Sequence, residues 1–99
     1  MEKTDIQKWC KVLVEDIESE LKRVGLELGS EYNGSELSLN DKEDVLRLSS
    51  GYLNELEDVV KNSKQEIGKE ILDSYEKAKM SILSFEKAVS RERASKKDL

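Results

Sequence analysis

The side chains of this sequence that could do chemistry are mainly carboxylates. They are densest in two runs, which comprise Glu15, Asp16, Glu18, Glu20, Glu55, Glu57 and Asp58. Acid–base catalysis by paired carboxylates needs a shielded pocket that separates their pKa values. On a helix, Glu15 and Asp16 point about 100° apart, and neither falls in an apolar stripe. We therefore interpret both runs as solvated surface and expect no catalytic residues.

The residue types that most often bind metals or activate nucleophiles are nearly absent. The chain has no histidine and one cysteine, Cys10, so it lacks the usual zinc ligand sets and the commonest general base. The glycines are scattered and form no phosphate-binding loop. Cys10 falls in an apolar stripe with no histidine to activate it, which predicts a buried, unreactive thiol. We expect no enzyme activity, no cofactor and no metal.

The charge balance disfavours nucleic acid and membranes as direct partners. The net charge is −5, whereas binding to phosphates needs clustered Lys and Arg, so we expect no direct nucleic-acid binding. The first residues lack the apolar stretch of a signal peptide. No apolar run approaches the roughly 18 residues of a transmembrane segment. A single cysteine also argues against a disulfide-stapled secreted protein, so we expect a cytoplasmic location.

The composition predicts a single all-α domain. The chain has no proline, and apolar residues are only 36% of the total, so its core has to come from narrow apolar stripes on helices. The clearest stripe predicts a helix over about residues 5–28, begun by Thr4 or Asp5 as the cap and ended by Gly29. Its apolar residues follow the spacing of a heptad, at Cys10, Val14, Ile17, Leu21, Val24 and Leu28.

A loop and a second helix follow. Residues 29–40 are rich in Ser, Asn and Gly, and we expect them to form the main loop. The second helix is predicted over about residues 41–61, because Asn40 and Glu43 have the spacing of a capping box and an apolar stripe follows them.

The third helix is predicted over about residues 64–93, with a frayed tail over residues 94–99. Residues 61–66 contain no apolar side chain. Asn62 and Ser63 offer capping signals there, which favours a break between the second and third helices. No glycine or proline lies within this segment, so one continuous helix is the alternative.

These elements predict an antiparallel helical bundle, either of three helices or as a helical hairpin with a long second helix. Helix 1 is shorter than half of the remaining helical length, so part of the third helix lacks a partner of equal length in the same chain. We expect oligomerisation to complete the bundle, with an antiparallel dimer as the simplest form. The residues expected to bind the partner are Tyr75, Ile82, Phe85 and Val89.

The function predicted from these features is protein binding by helix packing, as in an assembly subunit, adaptor or small chaperone. The alternative is an acidic inhibitor, whose residues 41–60 carry six acids and two bases and would occupy a basic groove on a nucleic-acid-handling protein. Binding that weakens steeply with salt would favour the inhibitor. Trp9 and Tyr52 are expected to pack in the core or at a bundle end, although both residue types also anchor interfaces. The basic, amphipathic residues 75–97 are also typical of contact with a membrane surface.

Overall fold

Three α-helices make up most of the described chain, which comprises the backbone of residues 3–97 and the side chains of residues 5–96. In this computed structural model, α1 is Lys3–Lys22, α2 is Leu39–Asn62 and α3 is Lys69–Lys97. No strand occurs in the described range. The predicted all-α fold is confirmed.

α1 ends at Lys22, and not near residue 28 as the heptad pattern predicts. The chain leaves the helix at Gly25, whose φ of 67° lies in the left-handed region that favours glycine. The N–H of Gly25 bonds to the Lys22 carbonyl at 3.0 Å, and that of Leu26 to the Leu21 carbonyl at 2.9 Å. This is the hydrogen-bond pattern of a Schellman cap. The capping role assigned to Gly29 from the sequence therefore belongs to Gly25.

The helix starts also differ from the predicted caps. α1 already includes Thr4 and Asp5, so neither residue precedes it. α2 begins immediately after Ser38, whose hydroxyl accepts a hydrogen bond from the Asp41 N–H at 3.2 Å. This bond satisfies one of the free N–H groups of the first turn. The N-cap predicted at Asn40 is therefore wrong by two positions.

α2 and α3 are separate helices, because α2 ends at Asn62 and α3 begins at Lys69. Ile67 is buried within the connection between them. Of the two alternatives that the sequence leaves open, the chain has the break. α3 includes residues 94–97, where the sequence predicts a frayed tail, whereas residues 98–99 lie outside the described range.

The helices lie side by side in a rod of 53 × 20 × 17 Å. The start of α1 lies beside the α2–α3 connection, where the Gln7 side-chain amide donates to the Glu66 carbonyl at 3.1 Å. The start of α2 lies beside the end of α3, where the Lys42 ammonium is 3.0 Å from the Glu92 carboxylate. The buried core runs between these ends and includes Ile6, Cys10, Leu13, Ile17, Leu21, Val45, Leu56, Val60, Ile71, Tyr75, Ile82, Phe85 and Val89.

The linker between α1 and α2, residues 23–38, runs along the middle of α3. Its anchor is Ser81, a fully buried serine of α3. The Ser81 hydroxyl accepts a hydrogen bond from the Gly29 N–H at 2.8 Å and donates to the Ser30 carbonyl at 2.9 Å. In addition to α2, which packs on α3, α1 covers the first part of α3 and the linker covers the next part.

Tyr32 extends this cover along α3. Its N–H donates to the Ser84 hydroxyl at 3.0 Å, and its ring packs on Phe85 with centroids 4.8 Å apart and planes at 58°. The linker approaches α3 closely at Gly29, which has a φ of 89° and where a Cβ atom would lie 3.3 Å from Cγ of Lys77. A side chain at this position would strain the backbone and crowd Lys77.

We expect Ser81→Ala to lower the free energy of unfolding by about 1–2 kcal/mol, because it leaves the Gly29 N–H and the Ser30 carbonyl without the hydroxyl. Urea denaturation followed by circular dichroism measures this change. The matched control is Ser90→Ala, at an exposed position of the same helix, which should stay within about 0.5 kcal/mol of the wild type. Equal stability of the two variants would contradict the anchoring role of Ser81.

Candidate functional site

The four residues assigned to partner binding from the sequence lie in the core of the single chain. Their exposed fractions are 7% for Tyr75, 3% for Ile82, 0% for Phe85 and 1% for Val89. The expectation that this stripe lacks cover within the chain is therefore wrong. The physical reason is that α1 and α2 pack on α3 and that the linker adds cover at Phe85, on which Tyr32 packs directly.

Cys10 is fully buried, as predicted. Burial raises the pKa of its thiol above the ordinary value, so the protonated form, which is the weaker nucleophile, dominates at neutral pH. Within the described range, no three His, Cys, Asp or Glu residues are placed to hold a metal ion together. No helix there is both long and apolar enough to cross a membrane.

The carboxylate runs carry surface ion pairs. Glu20 is 2.9 Å from Arg23, and Glu57 is 3.0 Å from Lys61. The hydrogen bond from Lys61 lowers the pKa of Glu57. Both pairs join residues about one helical turn apart, which is the arrangement of a solvated helix surface.

A polar cluster joins the linker, α2 and α3 at one end of the rod. Lys42 is buried, and its ammonium is 3.0 Å from Oε1 of Glu92. The hydrogen bond to Glu92, with smaller contributions from Tyr32, raises the pKa of Lys42. The Tyr32 hydroxyl and Oε2 of Glu92 are buried and bond to no other described protein atom. Beside them, Arg93 and Glu43 form a second ion pair at 3.1 Å. These contacts tie α2 to α3.

An apolar surface lies where α1 meets α2. Trp9 and Val12, one turn apart on α1, are 46% and 45% exposed. Beside Trp9, a groove of about 290 Å³ is also lined by Ile6 and by Val59 of α2. We call Trp9, Val12 and Val59 the α1–α2 patch. A half-exposed tryptophan beside an open groove is typical of the anchor of a protein interface.

Carboxylates surround the α1–α2 patch. Asp5 and Asp16 lie one turn before and one turn after its α1 residues, while Asp58 lines the groove and Glu55 lies one turn before Val59. None of these four acids forms an ion pair with another described residue. The base Lys8 also lies on this side of α1. The patch is thus apolar at its centre and acidic around it.

A second pair of exposed apolar side chains lies on the outer side of α3. Met80 and Leu83 are 47% and 49% exposed. Lys87 and Arg91 follow at one-turn steps, and the four residues line a groove of about 370 Å³ between α3 and Glu31 of the linker. Neither base pairs with a carboxylate in the described part of the chain. We call Met80, Leu83, Lys87 and Arg91 the α3 face.

Sequence patterns indicate these exposed residues only indirectly. Trp9 is expected in the core or at a bundle end, but it is half exposed, whereas Tyr52 is partly buried against the core. The available signal is an apolar pair three residues apart that lies off the inward stripe of its helix. Val12 forms such a pair with Trp9, and Leu83 with Met80.

We expect Lys42→Met to lower the free energy of unfolding by about 1–3 kcal/mol at neutral pH, because Glu92 loses its buried partner. The pKa of Lys42 is raised in the folded state, so its contribution is complete below the ordinary lysine pKa of about 10.4 and is lost as the pH rises through the higher folded value. The stability gap between wild type and variant should therefore narrow above about pH 10.

Urea titrations at several pH values measure this gap. Lys61→Met, which removes an exposed ion pair on the same helix, is the control and should leave the stability close to that of the wild type at every pH. A gap for Lys42→Met that stays constant through the alkaline range would contradict the role of the ammonium.

The chain was also compared with known proteins. Protein-family models, curated protein sequences and solved structures all gave no significant match. The assignment of function therefore rests on the surface of the molecule itself.

Proposed function

We propose that this chain is a non-enzymatic helical protein that binds another protein through the α1–α2 patch, as an assembly subunit, adaptor or small chaperone does. The observation that carries this proposal is the exposure of Trp9, which is 46%, beside a groove whose apolar lining also includes Ile6 and Val59. Tryptophan is among the residues that contribute most to protein–protein affinity when a partner removes it from water.

The surroundings of Trp9 have the anatomy of an interface. Burying the remaining exposed area of Trp9 and Val12 gives a favourable apolar contribution of about 25 cal/mol per Å². The groove beside Trp9 is also lined by the polar residues Asn62 and Ser63, which can form hydrogen bonds with a partner backbone. An apolar centre within a polar rim is the usual composition of a protein-binding site.

The bundle supports this function by presenting the patch on two packed helices. We propose an antiparallel arrangement of three helices, consistent with the contact of Gln7 with Glu66 and of Lys42 with Glu92. A surface held by helices that share a core changes little on binding, so less conformational entropy is lost. We also propose the cytoplasm as the location of the protein, because its single cysteine cannot form a disulfide within the chain.

The alternative function, an acidic inhibitor of a nucleic-acid-handling protein, draws less support. Residues 41–60 of α2 contain six acids, but Glu43, Asp44 and Glu57 are each paired with a base at 3.0 to 3.3 Å. Pairing weakens the field that this segment presents to a basic groove. The remaining acids include Glu55 and Asp58, which border the α1–α2 patch.

We expect Trp9→Glu to weaken partner binding by about 30-fold or more, because a hot-spot residue contributes about 2 kcal/mol or more. Tagged wild type and variant are each incubated with extract of the cells that produce the protein, and retained proteins are quantified by mass spectrometry. The partner should be retained by the wild type and depleted on Trp9→Glu.

The matched control is Asn54→Glu, which adds the same charge at an exposed position of α2 and should retain the partner. Circular dichroism verifies that both variants keep their helices. A partner retained equally by Trp9→Glu would contradict the proposal. If that retention also falls steeply with salt, the acidic inhibitor is the better account.

A further inference from the structure

We infer that the chain self-associates head to tail, with the α3 face of one copy bound to the α1–α2 patch of the next. This inference rests on the proposed function, because it names the partner of the patch as a second copy of the same chain. The sequence predicts association through an uncovered core stripe. The inference assigns association instead to two surfaces that the folded chain leaves exposed.

The two surfaces are complementary in charge. The α1–α2 patch is bordered by Asp5, Asp16, Glu55 and Asp58, and the α3 face contributes Lys87 and Arg91. Opposite charges at the edge of an apolar contact raise the association rate and disfavour wrong pairings.

Each surface also carries charges of the opposite sign. Lys8 is a base beside the patch. On the α3 side, Glu31 lines the groove, while Glu76 and Glu86 each lie one turn from the apolar pair. The patch therefore has an excess of acids, and the groove of the α3 face is lined by two bases and one acid.

The two surfaces also match in size. From Asp5 to Asp16 and from Met80 to Arg91 the chain advances by the same number of residues, which is about 16 Å along a helix. Each stretch contains an apolar pair three residues apart. Two such helix faces can pack with their apolar pairs in contact, which places Lys87 beside Asp5 when the helices run antiparallel and beside Asp16 when they run parallel. The contact is smaller than a standard interface, so we expect weak, concentration-dependent association.

The surfaces belong to different parts of the rod. The patch is formed by α1 and α2, the α3 face lies against the linker, and their grooves share no residue. A copy bound through its α3 face therefore keeps its patch free. A contact between two different surfaces is heterologous, and it adds further copies unless the rotation between them closes a ring.

This geometry predicts a specific result for two variants that each block one surface. Trp9→Glu blocks the patch and keeps the α3 face, whereas Leu83→Glu blocks the α3 face and keeps the patch. Sedimentation equilibrium of each variant alone should give the monomer mass of 11.3 kDa. An equimolar mixture should form a one-to-one dimer of twice that mass, because one intact surface of each kind is present. The wild type should continue beyond the dimer as its concentration rises.

Asn54→Glu is the control and should associate like the wild type, and circular dichroism should show that all variants keep wild-type helicity. A wild type that stays monomeric up to about 1 mM, a limit set by the Kd scale of weak complexes, would overturn the inference. A mixture that stays monomeric, or a single variant that still associates, would overturn it too. In either case loss of an extract protein on Trp9→Glu still tests the proposed function separately.

Discussion

The hydrogen bonds of Ser81 to the linker are the contact on which the rest of this structure depends. α1 has 20 residues and α3 has 29, which correspond to about 30 Å and about 43 Å of helix, so α1 alone cannot cover α3. The buried hydroxyl of Ser81 supplies a donor and an acceptor and holds Gly29 and Ser30 against α3. With the backbone fixed there, Tyr32 reaches Phe85 and the core is closed without a second chain.

Closing the core within one chain decides which surfaces remain for partners. Since the inward stripes of all three helices are buried, the apolar residues left in water are those that lie off the stripes, such as Trp9 and Met80. They sit among unpaired charges and do not form one continuous apolar strip. We propose that contacts made through such surfaces are reversible, unlike the permanent apolar interface that an uncovered core stripe would need.

The helical period of the apolar residues predicts much of this fold, but it does not predict where each helix ends, which depends on local capping. The all-α class and the burial of Cys10 follow from apolar spacing alone. The end of α1 does not follow from this spacing. Val24 continues the heptad and is buried although it lies beyond the helix, and the cap is formed by Gly25. The cover over Phe85 depends on bonds between residues 52 positions apart, which no local pattern reports. The exposure of Trp9 follows from how α1 is rotated against α2, which the spacing leaves open.

α1 covers one part of α3, and the linker covers the next part. The two halves of the rod are therefore expected to unfold with different cooperativity. In the first half, melting any helix disrupts the packing of the other two. In the second half, only a few hydrogen bonds and one aromatic contact hold the linker on α3. The linker can therefore open while α1 and α2 stay packed. Such an opening bares Phe85 without global unfolding. Amide hydrogen exchange in this molecule is therefore expected to divide into two classes, with the slower class where three helices meet.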